Sequence, residues 1–238
     1  METKILVDLG SYNLMNDQRL LIPFLRNDKI GFMNNKGEII IDAKFSTYEG
    51  ECYCSNDLIK VGVDHIEGYT RPSNRVACYH WNLFGLINFM GKYIYEPQYR
   101  EINVSKESGS VILRNEDLKY GVGDITGNVI VPFGKYDWMD NFENGLARVL
   151  NRKPSSNAKW GIINDKGEEV LPLEYDKIWK LNHYFETIIA EKGQQKLKID
   201  FENLKRGILT TRAIPDKTWE IMQKAASQTI KEEVVYSI

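Results

Sequence analysis

Apolar and polar residues alternate along much of this chain, in short runs broken by Gly, Asn and Asp. A period of two belongs to strands with one buried face. Four runs share one layout: KIGFMNNKGEIIIDAKF, LFGLINFMGKYIYEPQY, KYGVGDITGNVIVPFGKY and KWGIINDKGEEVLPLEY. Each holds two glycines six residues apart, at Gly31 and Gly37, Gly85 and Gly91, Gly121 and Gly127, and Gly161 and Gly167. Ile30, Phe84, Tyr120 or Trp160 precedes the first Gly, and Phe45, Tyr99, Tyr136 or Tyr175 closes the copy. The tetrads NNKG, NFMG, DITG and NDKG suit hairpin turns with Gly at positive φ. The first Gly is expected to admit a bulge or a close backbone. Pro97, Pro132 and Pro172 are expected to stop the second strand, because Pro has no N–H for the ladder.

The first glycines lie 54, 36 and 40 residues apart. The building block is therefore a unit of about 40 residues with three or four strands. Units are expected near 20–62, 76–104, 110–140 and 141–180, within a repeat domain over 1–215. A degenerate unit at 181–215 has its clearest remnant in KRGILTTRAIP, from Lys205 to Pro215. The polar stretch VDHIEGYTRPSNR, Val63 to Arg75, reads as an inserted loop. Beyond Pro215 the period changes. Trp219, Met222, Ala226 and Ile230 make a helical stripe, predicting a C-terminal helix over 216–238 with Asp216 as N-cap. Terminal units of repeat arrays need such a cover.

KWGIINDKGEEVLPLEYD, with FENGLA before it, resembles the WG (or KWG) repeat, a short β repeat common in bacterial proteins. The other copies replace its Trp with Ile30, Phe84 and Tyr120. The resemblance implies an all-β array of hairpin-based units in a binding or interaction role, with no shared active site. An open curved or superhelical array is the first expectation and a propeller-like ring the second.

Composition narrows the partners. The 238 residues are 42% apolar and 27% charged, with a formal net charge of −2, an ordinary globular balance. It carries no electrostatic footprint for nucleic acid. Glu2 and Asp8 interrupt the N-terminal apolar run, so no secretory signal is read there, and no stretch reaches bilayer length. Three cysteines complete no disulfide framework. A cytoplasmic protein with no cofactor and no membrane or nucleic-acid partner is expected; the oligomeric state stays open.

Candidate chemistry is sparse. Cys52 and Cys54, with Cys78 and His80, fall at i and i+2, which places each pair on one strand face. Four such ligands suit tetrahedral zinc. Neither pair has the spacing of a zinc knuckle, and Cys52 and Cys54 align with apolar Ala147 and Val149. Core packing is the preferred reading. His65, His80 and His183 have no nucleophile in a recognisable context, and His65 is expected in solvent. Asp124 and Asp165, with Asn34 and Asn88, read as turn residues bonding their own backbone. Trp81, Trp138 and Trp179 lie outside the repeat aromatic position. On one exposed face they would form a partner-binding or glycan-stacking strip. The function expected is non-enzymatic binding of another protein, an immunity or antitoxin-type role being one version. A carbohydrate or cell-envelope ligand held by Tyr and Trp is the alternative, and a metal-dependent enzyme built on the Cys and His set is a further one.

Overall fold

A computed structural model describes residues 3–6, 21–49, 58–70, 76–105, 108–152, 157–179, 181, 187–222 and 224. For residues 48–49, 66–70 and 76–81 it describes the backbone alone. The alternating runs form five four-stranded antiparallel sheets, each a meander in chain order and none closed on itself among the described residues. The chain divides into two units, Met1–Lys135 and Tyr136–Ile238.

The first unit holds three sheets. The first comprises β1 (Lys4–Ile5), β2 (Ile22–Arg26), β3 (Lys29–Met33) and β4 (Ile39–Phe45). The second comprises β5 (Thr47–Glu49), β6 (Leu58–Thr70), β7 (Val76–Asn88) and β8 (Tyr93–Tyr99). The third comprises β9 (Glu101–Val104), β10 (Val111–Arg114), β11 (Tyr120–Gly123) and β12 (Val129–Val131). The second unit holds two. The fourth sheet comprises β13 (Trp138–Met139), β14 (Leu146–Asn151), β15 (Lys159–Asn164) and β16 (Glu169–Tyr175). The fifth comprises β17 (Lys177–Ile178), β18 (Thr187–Lys192), β19 (Gln195–Asp200) and β20 (Thr211–Ala213), with helix α1 (Phe201–Lys205) between its last two strands.

The shared tetrad makes the same turn four times. Asn34 Oδ1 accepts the N–H groups of Lys36 and Glu38, and Gly37 sits at φ 79°. Asn88, Asp124 and Asn164 repeat this arrangement. The Asx reading of these turns holds, with one change of residue: Asn164, not Asp165, occupies the position of Asn34. Burial pushes the Asp124 carboxyl up, but hydrogen bonds from Thr126 and Asn128 outweigh it and hold its pKa at about 2.

The first Gly of each copy faces a crowded neighbour. Ile30 pairs with Phe45 and Phe32 with Ile41, so Gly31 alone of β3 opposes Asp42, Ala43 and Lys44 of β4. The same bulge stands between Phe84 and Leu86 in the second sheet and between Trp160 and Ile162 in the fourth. The bulged backbone presses on the glycine. A Cβ on Gly85 would lie 2.5 Å from the Tyr95 carbonyl oxygen and 2.7 Å from Pro97 N. Pro97 and Pro172 therefore sit inside β8 and β16, not at their ends. A bulged edge position needs no N–H for the ladder, so Pro is tolerated there.

Two further expectations change. Val63 to Arg75 is not a loop throughout: the β6–β7 ladder runs unbroken from Leu58↔Asn88 to Thr70↔Val76, so Val63 to Thr70 is strand, and 71–75 fall outside the described residues. In the fifth sheet the place of the KWG strand belongs to β19, and KRGILTTRAIP supplies only β20. Residues 216–222 and 224 are helical. The Trp219 N–H donates to the Pro215 carbonyl at 3.0 Å, which puts Pro215 at the N-cap and Asp216 in the first turn. The rest of the expected C-terminal helix lies outside the described residues.

Each interior forms between consecutive sheets. Phe32, Ile41 and Phe45 of the first sheet meet Ile59, Val61 and Ile87 of the second. Leu86, Tyr95 and Tyr99 meet Ile102, Val111 and Leu113 of the third. Leu146, Ile162, Leu171 and Tyr175 of the fourth meet Ile178, Ile188, Ala190 and Ile199 of the fifth.

Candidate binding surface

Hydrogen bonds fix how the last two sheets correspond. Asp137 N donates to the Leu150 carbonyl and Asp140 N to that of Arg148; Asp176 N and Trp179 N do the same to Glu191 and Ile189. Trp138 thus corresponds to Lys177, and Asp140 to Trp179. The two tryptophans that follow a Tyr-Asp pair stand two residues apart in register.

Trp138 is half-buried. Its ring meets Trp160 edge-on at 5.4 Å, and the Arg148 guanidinium lies 5.8 Å and 5.0 Å from the two ring centres. Arg148 also pairs with Asp140 and donates to the Ile178 carbonyl at 2.6 Å. These contacts tie the fourth sheet to the first strand of the fifth. Trp138 is therefore held as part of the scaffold.

Trp179 is 36% exposed. The Lys177 ammonium lies 3.7 Å from its ring centre, and Trp219 meets it edge-on at 5.7 Å. Lys196 pairs with Glu191 and stands 5.7 Å from the Trp219 ring. Nearby, a hydrogen bond from Lys159 and one from the Gly193 amide hold the Asp176 carboxyl below its usual range. The side chains of Trp81, Cys78 and His80 are not described, and Cys52, Cys54 and His183 lie outside the described residues. By backbone register Trp81 pairs with His65, and His80 with Ile66. The His65 side chain is one-third exposed, 4.0 Å from Glu116.

A second surface lies at the hairpin tips of the first unit. Ile39, Ile40, Met90, Ile125, Val129 and Ile130 are all exposed, Met90 by 66%. The tips are stacked. A Cβ on Gly91 would meet Ile41 Cγ1 at 2.7 Å and Ile40 Cγ2 at 3.6 Å, and one on Gly127 would meet the Ile94 carbonyl oxygen at 2.9 Å. Tyr95 locks the second step. Its hydroxyl donates to the Asp124 carbonyl at 2.8 Å, and burial followed by the Asp124 charge pushes its pKa up. Ile40 and Ile41 thus adjoin the second tip and Ile94 adjoins the third, giving a ridge of successive tips that each carry exposed apolar residues. The fourth hairpin carries Asp165, Lys166 and Glu169 at the matching places. Sequence reading missed this ridge; the signal was Ile, Met and Val at turn and outward strand positions, four of which the Trp160 copy fills with polar residues while Val170 stands at the place of Ile40 and Ile130.

Five meanders, four of them sharing an Asx turn and three a glycine-centred bulge, define an all-β repeat protein. Residues 30–61, 120–153 and 160–183 match the family described as WG containing repeat. The chain carries WG-type repeats in these three stretches, and its Phe84 copy, within the long β6–β7 hairpin, falls outside them. Among solved structures, the crystal structure of the tricorn protease is similar at 9% identity and a TM-score of 0.34, over 82% of this chain. This chain spans only 25% of that one, and so low a score carries no argument. No curated protein matches the sequence.

Proposed function

We propose that this chain is a non-enzymatic, cytoplasmic scaffold that binds another protein through positions that vary between its repeats. The observation that carries this reading is the ridge of Ile39, Ile40, Met90, Ile125, Val129 and Ile130. Exposed apolar residues scattered singly need no explanation, whereas a contiguous set marks an interaction surface. The residues the repeats share are spent on turns, bulges and cores. The Trp160 copy keeps only Val170 of this apolar set, so the repeat architecture does not require the rest. Lys177 over the Trp179 ring favours a protein over a sugar, because it takes a face on which a sugar would stack.

The test is affinity capture with the wild-type chain and with Met90→Glu and Ile125→Glu. Both side chains are exposed, so both variants are expected to melt like the wild type. Wild type is expected to retain a protein that both variants lose. Recovery of no protein, or of the same proteins by both variants, would overturn the proposal.

A further inference from the structure

The fifth sheet has two faces of different character. Ile178, Ile188, Ala190 and Ile199 pack against the fourth sheet. Lys177, Trp179, Ile189, Glu191, Lys196, Lys198 and Arg212 share the other face, since directly paired residues and residues two apart point to one side. In the fourth sheet the equivalents of Lys198 and Arg212 are Ile162 and Leu171, a fully buried pair that receives the next sheet. The fifth sheet replaces this apolar pair with two cations directly opposite each other.

Closing an array asks only for a polar face. A Lys–Glu pair would meet that need and would add cross-strand attraction, whereas like charges directly opposite are destabilising. Lys198 and Arg212 are both exposed, and with Lys177 they make no ion pair among the described residues. The two carboxylates on the face are engaged: Glu191 pairs with Lys196, and Asp200 caps α1 by accepting the Asn203 N–H at 2.7 Å. The helical residues above bring no surplus, with Asp216 and Glu220 against Lys217 and Lys224. The face thus keeps unanswered positive charge beside an exposed Trp179.

We propose that this face docks an acidic segment of a partner protein, with carboxylates on Lys198, Arg212 and Lys177 and an apolar side chain beside Trp179. This rests on the protein-binding reading and names the partner's chemistry. Nucleic acid is the weaker match, because the chain as a whole carries a net charge of −2 and the basic patch is small.

The test is an NMR titration of the full chain with three probes: a short peptide repeating Glu-Asp-Phe, its Lys-for-acid counterpart, and oligothymidine. The acidic peptide is expected to shift the Trp179 indole and the Lys198 and Arg212 amides, and to weaken with salt. Lys198→Glu is expected to weaken binding roughly tenfold while raising the melting temperature by about 1–3 °C, since it turns a like-charge pair into an opposite one. Trp179→Ala is expected to weaken binding with the Lys198 and Arg212 amides still folded. The proposal falls if the acidic peptide leaves this face unshifted, if Lys198→Glu binds as tightly as wild type, or if oligothymidine binds the face more tightly. Capture that depends on Met90 while the peptide fails here would leave the scaffold standing and remove this docking site. Peptide binding here with no ridge-dependent capture would do the reverse.

Discussion

Replacing Gly161 with Ala isolates the feature that makes a repeat unit. A Cβ there would lie 2.8 Å from the Leu171 carbonyl oxygen and 3.2 Å from both Leu173 N and Leu173 Cγ. Two of these atoms are backbone, and Leu171 is fully buried and paired with Ile162. Relief requires the bulge to move by a few tenths of an ångström against that pairing. Overpacking of this kind costs about 1–3 kcal/mol. Ala narrows the unfolded ensemble and returns about 0.4–1 kcal/mol. The net expectation is a loss of roughly 1–2 kcal/mol, or about 2–8 °C in melting temperature for a chain of this size. Urea titration followed by tryptophan fluorescence reads it, because Trp138 and Trp160 lie in the same sheet. Gly85→Ala should cost more, since all three nearest atoms are backbone and within 2.9 Å. If Gly161→Ala were neutral or stabilising, or if Gly85→Ala cost less than Gly161→Ala, the bulge would not be what requires these glycines.

Other expectations follow from individual contacts. Arg148→Lys should lose about 2–3 kcal/mol in urea titration, because Lys cannot serve Asp140, the Ile178 carbonyl and two indole rings together. Tyr95→Phe should cost about 0.5–1.5 kcal/mol by removing the hydrogen bond to the Asp124 carbonyl. The folded Asp124 pKa of about 2 lies below its ordinary 3.8, so its contribution is full above about pH 4 and lost as pH falls through 2. Asp124→Asn should keep the turn, as Asn does in the other three copies, and flatten this acid limb in an amide-exchange profile of Thr126 and Asn128.

Strands, turns and bulges were legible because each follows from local chemistry. Gly37, Gly91, Gly127 and Gly167 mark positive φ, and Asn or Asp three residues earlier fixes the turn. The β6–β7 ladder was misread as loop because pairing is a backbone property, and Val63 to Arg75 has no apolar alternation to announce it. The places of Pro97 and Pro172 were misjudged for a related reason: a bulge removes the need for the N–H that Pro lacks, and the first Gly marks a bulge without showing that it takes in the Pro on the facing strand. The fifth KWG strand was hidden because Lys196 and Leu197 stand where Trp160 and Gly161 do, and α1 replaces the Asx turn. The candidate surface was only partly legible. Trp138 and Trp179 look equivalent in sequence, yet one is clamped by Arg148 and the other carries Lys177 in solvent. The ridge depends on stacking between sheets, which no single copy reveals.

Hydrogen–deuterium exchange of the chain with and without its captured partner tests the central claim, that shared residues build the array and variable ones bind. The account expects new protection at residues 39–40, 89–94 and 125–130, with the Gly161 to Tyr175 hairpin unchanged. Protection centred on that hairpin, with the ridge exchanging as freely as before, would contradict it.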